Sequence, residues 1–344
     1  MCLFYVSSNN HCYQFIIVFG TYISDMRTCI VSDKELGATA NLLLRSALRQ
    51  STQNCYSSAQ KKYIHFCAKY HIEPLPATDE SLLLYVSYLH EQGLTGSSIK
   101  VYMSAVKSLH VYSGFDSPIT SNNKVALAIR GAINLSASPA RTQPITYELL
   151  VRMLPLLAGR QDIVMLKAAM CLAFFGCLRA GEFCLNAGDN FDPAIHLCVR
   201  DISMHTDHFT LYLKRSKTDK NNQGVQIHVG CSGELACAFC SMKDFISTRD
   251  PNLSPLFQDT LGHILTKSYF VSVTRILLAS LGLDPSRFSG HSYRAGSATT
   301  GADRGFDQWE LKMLGRWSSD AYQIYLRNPK LVSTFSKRLA AHGF

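Results

Sequence analysis

From about residue 35 to residue 135 the apolar side chains recur at helical spacing almost without interruption, and that period restricts this part of the chain to an all-helical bundle. Ala59, Tyr63, Phe66 and Tyr70 fall at i, i+4, i+7 and i+11, with Lys61, Lys62 and Lys69 on other faces. Thr78, followed by Asp79 and Glu80, has the chemistry of an N-cap with an acidic first turn. It opens a helix that buries Leu82, Val86 and Leu89 before Gly93 ends it. A second helix, capped around Thr95 to Ser97, sets Ile99, Tyr102, Val106 and Leu109 on one face and Lys100 and Lys107 on another, then stops at Gly114.

The stretch GAINLSASPARTQPI, residues 131–145, breaks this period with Gly, Ser and two Pro, and reads as a linker. Thr146 then caps a helix carrying Leu149, Leu150, Met153 and Leu154, and a wholly apolar helix over Ile163–Phe175 follows, ending at Gly176. The period next changes to two: Phe209, Leu211 and Leu213 alternate with Thr210, Tyr212 and Lys214, and Val225, Ile227 and Val229 alternate again after TDKNNQG. With an earlier strand over Leu197–Ile202, these make a small antiparallel sheet, and beyond about residue 236 the pattern is helical again. The fold class expected is mainly α with a small antiparallel β-sheet. The domains expected are a poorly ordered segment over 1–34, a helical domain over 35–130, a linker over 131–145 and an α+β domain over 146–344.

Composition narrows the function. A chain with 47% hydrophobic and 17% charged residues buries sizeable cores, and a net charge of +9 favours a polyanionic partner. Twelve cysteines are too dilute for a secreted disulfide scaffold, and Cys67, Cys171 and Cys177 lie in apolar helical stretches where a reduced thiol packs as a small hydrophobe. Cys231, Cys237 and Cys240, near His228, contain one C-x-x-C step. No second paired set stands at ligand spacing, so these too read as packing thiols and no metal site is expected. The apolar run from Phe15 to Ile23 is too short to span a bilayer, and the run from Ile163 to Phe175 carries Lys167 and suits a buried helix, so no membrane segment is expected. H-E-x-x-H, P-loop, G-x-S-x-G and dinucleotide-binding motifs are all missing, so zinc-hydrolase, ATP and nicotinamide readings lack support.

Phosphodiester chemistry without a metal needs fixed cations for the non-bridging oxygens, a nucleophile, and a proton donor for the leaving oxygen. Arg suits the first role because its planar fork matches phosphate in bidentate fashion. Arg179 follows the buried helix and Gly176 directly, with Glu182 three residues on, and Lys217 lies where a strand runs into its turn in LKRSKTDK. His291 and Arg294 stand at i, i+3, Trp317 lies in G-R-W, and Tyr322 and Tyr325 lie three apart in YQIYLR, where periodicity alone does not choose between them.

This order, an Arg with a Glu three later, a hairpin Lys, H-x-x-R, then G-R-W and a Tyr, resembles the tyrosine recombinase (phage integrase) family over about residues 40–335. The phrases GHSYRAGSAT, LGRWSSDAYQIYLR and LDPSRFSGHS are most similar to recombinases of DIRS-like and related eukaryotic mobile elements. The resemblance implies a helical core-binding (SAM-like) domain and an α+β catalytic domain that together clamp double-stranded DNA. Lys61, Lys62, Lys100, Lys107 and Arg215 are then candidates for backbone contacts. It further implies that Arg179 and Arg294 hold the scissile phosphate, that His291 handles a proton beside them, and that Trp317 takes the place of a second His with a donating indole N–H. Lys217 would protonate the leaving 5′ oxygen, and Glu182 would steady Arg179. A Tyr would form a 3′-phosphotyrosine, so that rejoining needs neither ATP nor another cofactor, and a homotetramer on DNA would exchange strands pairwise. Tyr325 lies eight residues beyond Trp317 and Tyr322 only five; the longer interval and the Y-L-R context fit the family's nucleophile, which leaves Tyr322 as a packing residue. In a eukaryotic host such an enzyme is expected in the nucleus. Two other readings share these features: a domesticated or decayed DNA-binding protein without catalysis, and a type IB topoisomerase that relaxes DNA as a monomer.

Overall fold

The computed structural model of the chain describes residues 5–8, 11–14, 34–116, 123–136, 142–216, 219, 223–249 and 255–325. Within the stretch expected to be poorly ordered, Tyr5–Ser8 (β1) and His11–Gln14 (β2) pair antiparallel, with Tyr5 opposite Gln14. The apolar run from Phe15 to Ile23 lies outside the described residues.

Five helices follow: α1 (Lys34–Ser46), α2 (Gln50–Tyr70), α3 (Asp79–Glu91), α4 (Gly96–Tyr112) and α5 (Asn123–Leu135). Thr78 caps α3 by accepting from the Ser81 N–H while the Ser81 hydroxyl accepts from the Thr78 N–H, and Thr95 caps α4 by accepting from the Ser98 N–H. α2 packs on α4, and α5 packs on both α3 and α4. Tyr63, Phe66, Leu82, Tyr85, Leu89, Ile99 and Val106 form the core, in which the Tyr85 ring lies 5.0 Å from those of both Tyr63 and Phe66. Tyr70, the last residue of the apolar stripe, is 47% exposed and carries the Lys69 ammonium 5.1 Å from its ring centre.

Where the sequence predicts a linker from residue 131, α5 instead runs on to Leu135 with Ala132 buried. The cause is tertiary. A Cβ at Gly96 would collide with the Ile133 backbone, and the Gly96 N–H donates 2.8 Å to the Ser136 hydroxyl, so the start of α4 lies against the last turn of α5. The far end of the expected linker belongs to the second unit. The Gln143 N–H donates to the Arg287 carbonyl (2.7 Å), the Ile145 N–H donates to the Ser292 carbonyl (2.9 Å), and Ile145 is fully buried. The two compact units of the chain divide between residues 139 and 140.

In the second unit Thr146 caps α6 (Tyr147–Met153) and a 3-10 turn over Leu154–Leu157 leads to α7 (Ile163–Phe175), whose residues from Met165 to Phe174 are almost all buried. After α8 (Ala180–Phe183) come β3 (Ile202–Met204), β4 (His208–Leu213) and β5 (Val225–Gly230). They form one antiparallel sheet in that order, with Leu211 opposite Ile202 and Ile227. Phe209, Leu211, Leu213, Ile227 and Val229 face the core. The strand expected over Leu197–Ile202 begins only at Ile202. Asp201 accepts from the Cys198 N–H (2.7 Å) and pairs with Lys214 (2.6 Å), which winds Val199–Asp201 into a 3-10 turn. The rest is helical: α9 (Ala238–Ser247) against α7, then α10 (Lys267–Ser280), α11 (Ser292–Asp303) and α12 (Gln308–Gly315). Among the described residues no helix is long and apolar enough to cross a membrane.

Candidate active site

Two turns, one after α7 and one after α12, each contain a non-glycine residue in the left-handed region, Cys177 (φ 47°) and Arg316 (φ 55°). A side chain there costs roughly 1–2 kcal/mol, and the surroundings show what holds each turn. Arg316 donates to the carbonyls of Gly176 (2.8 Å) and Cys177 (3.3 Å). Arg294 donates to the carbonyls of Cys177 and Gly315, both at 2.5 Å, and the Cys177 thiol donates to the Arg294 carbonyl at 3.7 Å. Two guanidinium forks thus pin the end of α7 to the end of α12, with Arg316 lying 140 and 139 residues from its partners Gly176 and Cys177.

Glu182 completes the cluster. Its Oε1 accepts from Arg179 Nη1 at 2.8 Å, while its Oε2 accepts from the Arg179 N–H at 2.9 Å and lies 3.6 Å from Arg316 Nη2. Two guanidinium groups therefore share one carboxylate, and Arg294, bonded to carbonyls beside them, adds a third positive charge, leaving a local excess. Burial pulls the Arg294 guanidinium below the ordinary arginine value, and repulsion from Arg179 and Arg316 pulls it further against the opposing effects of Cys177 and Glu182. Arg316 is lowered by burial as well, with Glu182 working against that shift.

Arg294 owes its position to α11, a helix of small residues buried from Ser292 to Gly301. A Cβ at Gly296 would overlap the Ile145 carbonyl, so glycine lets α11 press against that strand-like segment. His291 stands exposed at the start of this helix, its N–H donating to the Ser289 hydroxyl (3.2 Å) and its carbonyl accepting from the Ala295 N–H (2.9 Å). The Trp317 ring lies 4.4 Å from the Arg294 guanidinium carbon and covers Gly315, where any Cβ would enter the ring. Behind it the fully buried Tyr322 sits 6.1 Å from the Trp317 ring, and its hydroxyl has no hydrogen-bond partner among the described residues. Tyr325 closes the 3-10 segment Asp320–Tyr325, and its side chain lies outside the described residues.

Lys217 also lies outside the described residues, but both ends of its loop are anchored. At one end Lys214 pairs with Asp201 and donates to the carbonyls of Pro193 (2.8 Å) and His196 (2.9 Å); at the other, Asp219 accepts from the Gln223 and Gly224 N–H groups. Arg215 is exposed and lines a cleft of about 160 Å³ together with Glu182. In the helical unit Lys61, Lys100 and Lys107 are exposed, whereas Lys62 is half-buried with its ammonium 5.9 Å from the Tyr102 ring. Of the site residues expected from sequence, Arg179, Glu182, Arg294 and Trp317 meet directly or through shared partners. Arg316 was not among those expected. Its one signal is an Arg directly after the Gly315 helix stop, a place where a left-handed conformation is common and usually given to glycine.

No protein-family model matches the chain. Among curated proteins it is similar to an integrase/recombinase XerD homolog of Selenomonas ruminantium, 22% identical over 308 residues covering 85% of each chain. It is also similar to the recombinase Cre of Escherichia phage P1, 24% identical over 310 residues, 83% of this chain and 86% of Cre. Among solved structures the XerH site-specific recombinase in a post-cleavage complex with its difH substrate superposes with a TM-score of 0.60 at 17% identity, over 83% of this chain and 78% of XerH. The likeness in sequence to the XerD homolog and Cre spans both units, and the likeness in structure shows that the chain shares the fold of XerH.

Proposed function

We propose that the protein is a site-specific recombinase that cuts and rejoins double-stranded DNA through a 3′-phosphotyrosine intermediate, with no metal ion or nucleotide taking part in the strand transfer. The observation that carries this reading is a cluster in which Arg179 and Arg316 share the carboxylate of Glu182 while the neighbouring Arg294 is held by backbone carbonyls. Such a cluster has more positive charge than its own acid balances, and a phosphodiester supplies what is missing.

In the proposed reaction the Tyr325 oxygen attacks the scissile phosphorus and loses its proton, and the bond from phosphorus to the 5′ oxygen breaks. The forks of Arg179 and Arg294 hold the non-bridging oxygens as charge develops on them, and His291 at the exposed start of α11 handles a proton beside them. Trp317 backs Arg294 and offers its indole N–H. Lys217 gives a proton to the departing 5′ oxygen; Lys214, three residues earlier, is held by Asp201 and two carbonyls and suits a structural role. A phosphotyrosine diester replaces a phosphodiester, so a 5′ hydroxyl from another strand reverses the step with no external energy. Full burial of Tyr322 behind Trp317 supports Tyr325 as the nucleophile. Lys61, Lys62, Lys100, Lys107 and Arg215 contact the DNA backbone in this reading, a homotetramer assembles on DNA, and in a eukaryotic host the enzyme works in the nucleus as part of a mobile element.

The test is a covalent trap. Nicked duplexes from a randomised pool release a short 5′-hydroxyl strand after cleavage, which prevents rejoining. The expected result is a protein–DNA adduct stable to detergent and heat, kept by Tyr322→Phe and lost in Tyr325→Phe. Binding without an adduct would favour a non-catalytic protein. Relaxation of a supercoiled plasmid with no recombinant product would favour the topoisomerase chemistry.

A further inference from the structure

Outside the arginine cluster, the residue after β5 and the first turn of α9 bring three cysteines together. The Cys231 Sγ lies 3.7 Å from the Cys240 Sγ and 3.8 Å from the Cys237 Sγ, and all three sulfurs fall within 4.8 Å of one another. A disulfide requires sulfurs at about 2.05 Å, so this spacing belongs to a different geometry. Around a tetrahedral zinc with bonds of about 2.3 Å, two thiolate sulfurs are separated by about 3.8 Å. We propose that Cys231, Cys237 and Cys240 bind a zinc ion through three thiolates, with the fourth position open to solvent.

The backbone is arranged for thiolates rather than for packed thiols. Cys237 is the N-cap of α9, and its sulfur accepts from the N–H groups of Cys240 (3.4 Å) and Ser232 (3.3 Å). Burial pushes the Cys237 thiol up, but these donors outweigh it and bring the thiol down to about 6. The Cys240 thiol is pushed up by its contacts with the Cys237 and Cys231 sulfurs and by burial. A divalent cation held by all three sulfurs binds them as thiolates and displaces their protons to water. Cys237 is buried and Cys231 is exposed, so one corner of the tetrahedron faces solvent, where water serves as the fourth ligand.

The sequence places Cys231 six and nine residues from the other two, with a single C-x-x-C step. The zinc reading depends on β5 ending where α9 begins, which only the fold reveals. The site ties the last strand of the sheet to the helix packed on α7, the helix whose end carries the Gly176–Cys177 turn. Its role is thus to hold the end of β5 to the start of α9 and not to act on phosphate.

Metal analysis of the full chain, purified under reducing conditions without chelator, tests this directly. The expected content is about one zinc per chain, kept by Cys55→Ser and falling to about one-tenth or less in Cys240→Ser. Stripping the wild-type protein and adding Co²⁺ makes the test independent of how any variant folds, and is expected to produce the near-ultraviolet thiolate-to-cobalt band with the intense visible bands of a tetrahedral site. Wild-type protein with no stoichiometric zinc and no cobalt band overturns the proposal, as does a disulfide among these three cysteines in alkylated peptides from that preparation.

Discussion

Arg179 and Arg294 carry the same side chain in the same cluster and are held in opposite ways. Arg179 is 20% exposed and rests on the Glu182 carboxylate, so its charge is matched within the protein. Arg294 is 1% exposed and is held by two backbone carbonyls and the face of an indole, none of which carries a full negative charge. A buried cation supported by dipoles alone costs several kcal/mol. The contrast separates a residue that stabilises the free protein from one whose charge is left for a ligand to match.

Replacing each side of that contrast is expected to give opposite signatures. Arg294→Met removes the buried charge, takes the Arg294 donor from the Gly315 carbonyl and leaves the Cys177 carbonyl with Arg316 as its side-chain donor. These effects oppose each other, so the stability change is expected to stay within about 2 kcal/mol, whereas adduct formation falls by about 10³-fold. Thermal denaturation beside a timed adduct assay reads both quantities. A large stability loss in this variant would mean that the Arg294 charge stabilises the free protein and is not left for a ligand to match.

Glu182→Gln should show the converse. It takes the counter-charge from Arg179 and Arg316 inside a site where Glu182 is 5% exposed, and the expected loss is about 2–3 kcal/mol of stability with only a ~10-fold effect on rate. Trp317→Phe keeps a ring under Arg294 but weakens the cation–π contact by about 0.5–1 kcal/mol, which predicts a loss of a few-fold in adduct rate. Tyr322→Phe removes a buried hydroxyl that lacks a partner among the described residues, and a gain of about 1 kcal/mol with unchanged adduct yield is expected in the same two assays.

Much of this architecture is legible in the chain, because it is set by local chemistry. The caps at Thr78, Thr95 and Thr146 and the all-apolar α7 follow from side chains acting on their own backbone. The alternation in β4 and β5 follows from one face being buried, and the order of Arg179, H-x-x-R and Trp317 carries the family resemblance. What local reading misses depends on contacts distant in sequence. The last turn of α5 persists because Gly96 lies against Ile133, and the strand expected from Leu197 waits until Ile202 because Lys214 draws Asp201 into a turn. Arg316 is hidden for the same reason: its carbonyl partners, Gly176 and Cys177, are 140 and 139 residues away.

The central claim is that a tyrosine beyond Trp317 becomes bonded to DNA and that this tyrosine is Tyr325. The most direct measurement is mass spectrometry of the trapped adduct after digestion by trypsin and nuclease, which locates the residue that retains a nucleotide. The account predicts a single modified peptide with the nucleotide on Tyr325. A nucleotide on Tyr322, or on a residue outside this segment, would contradict it.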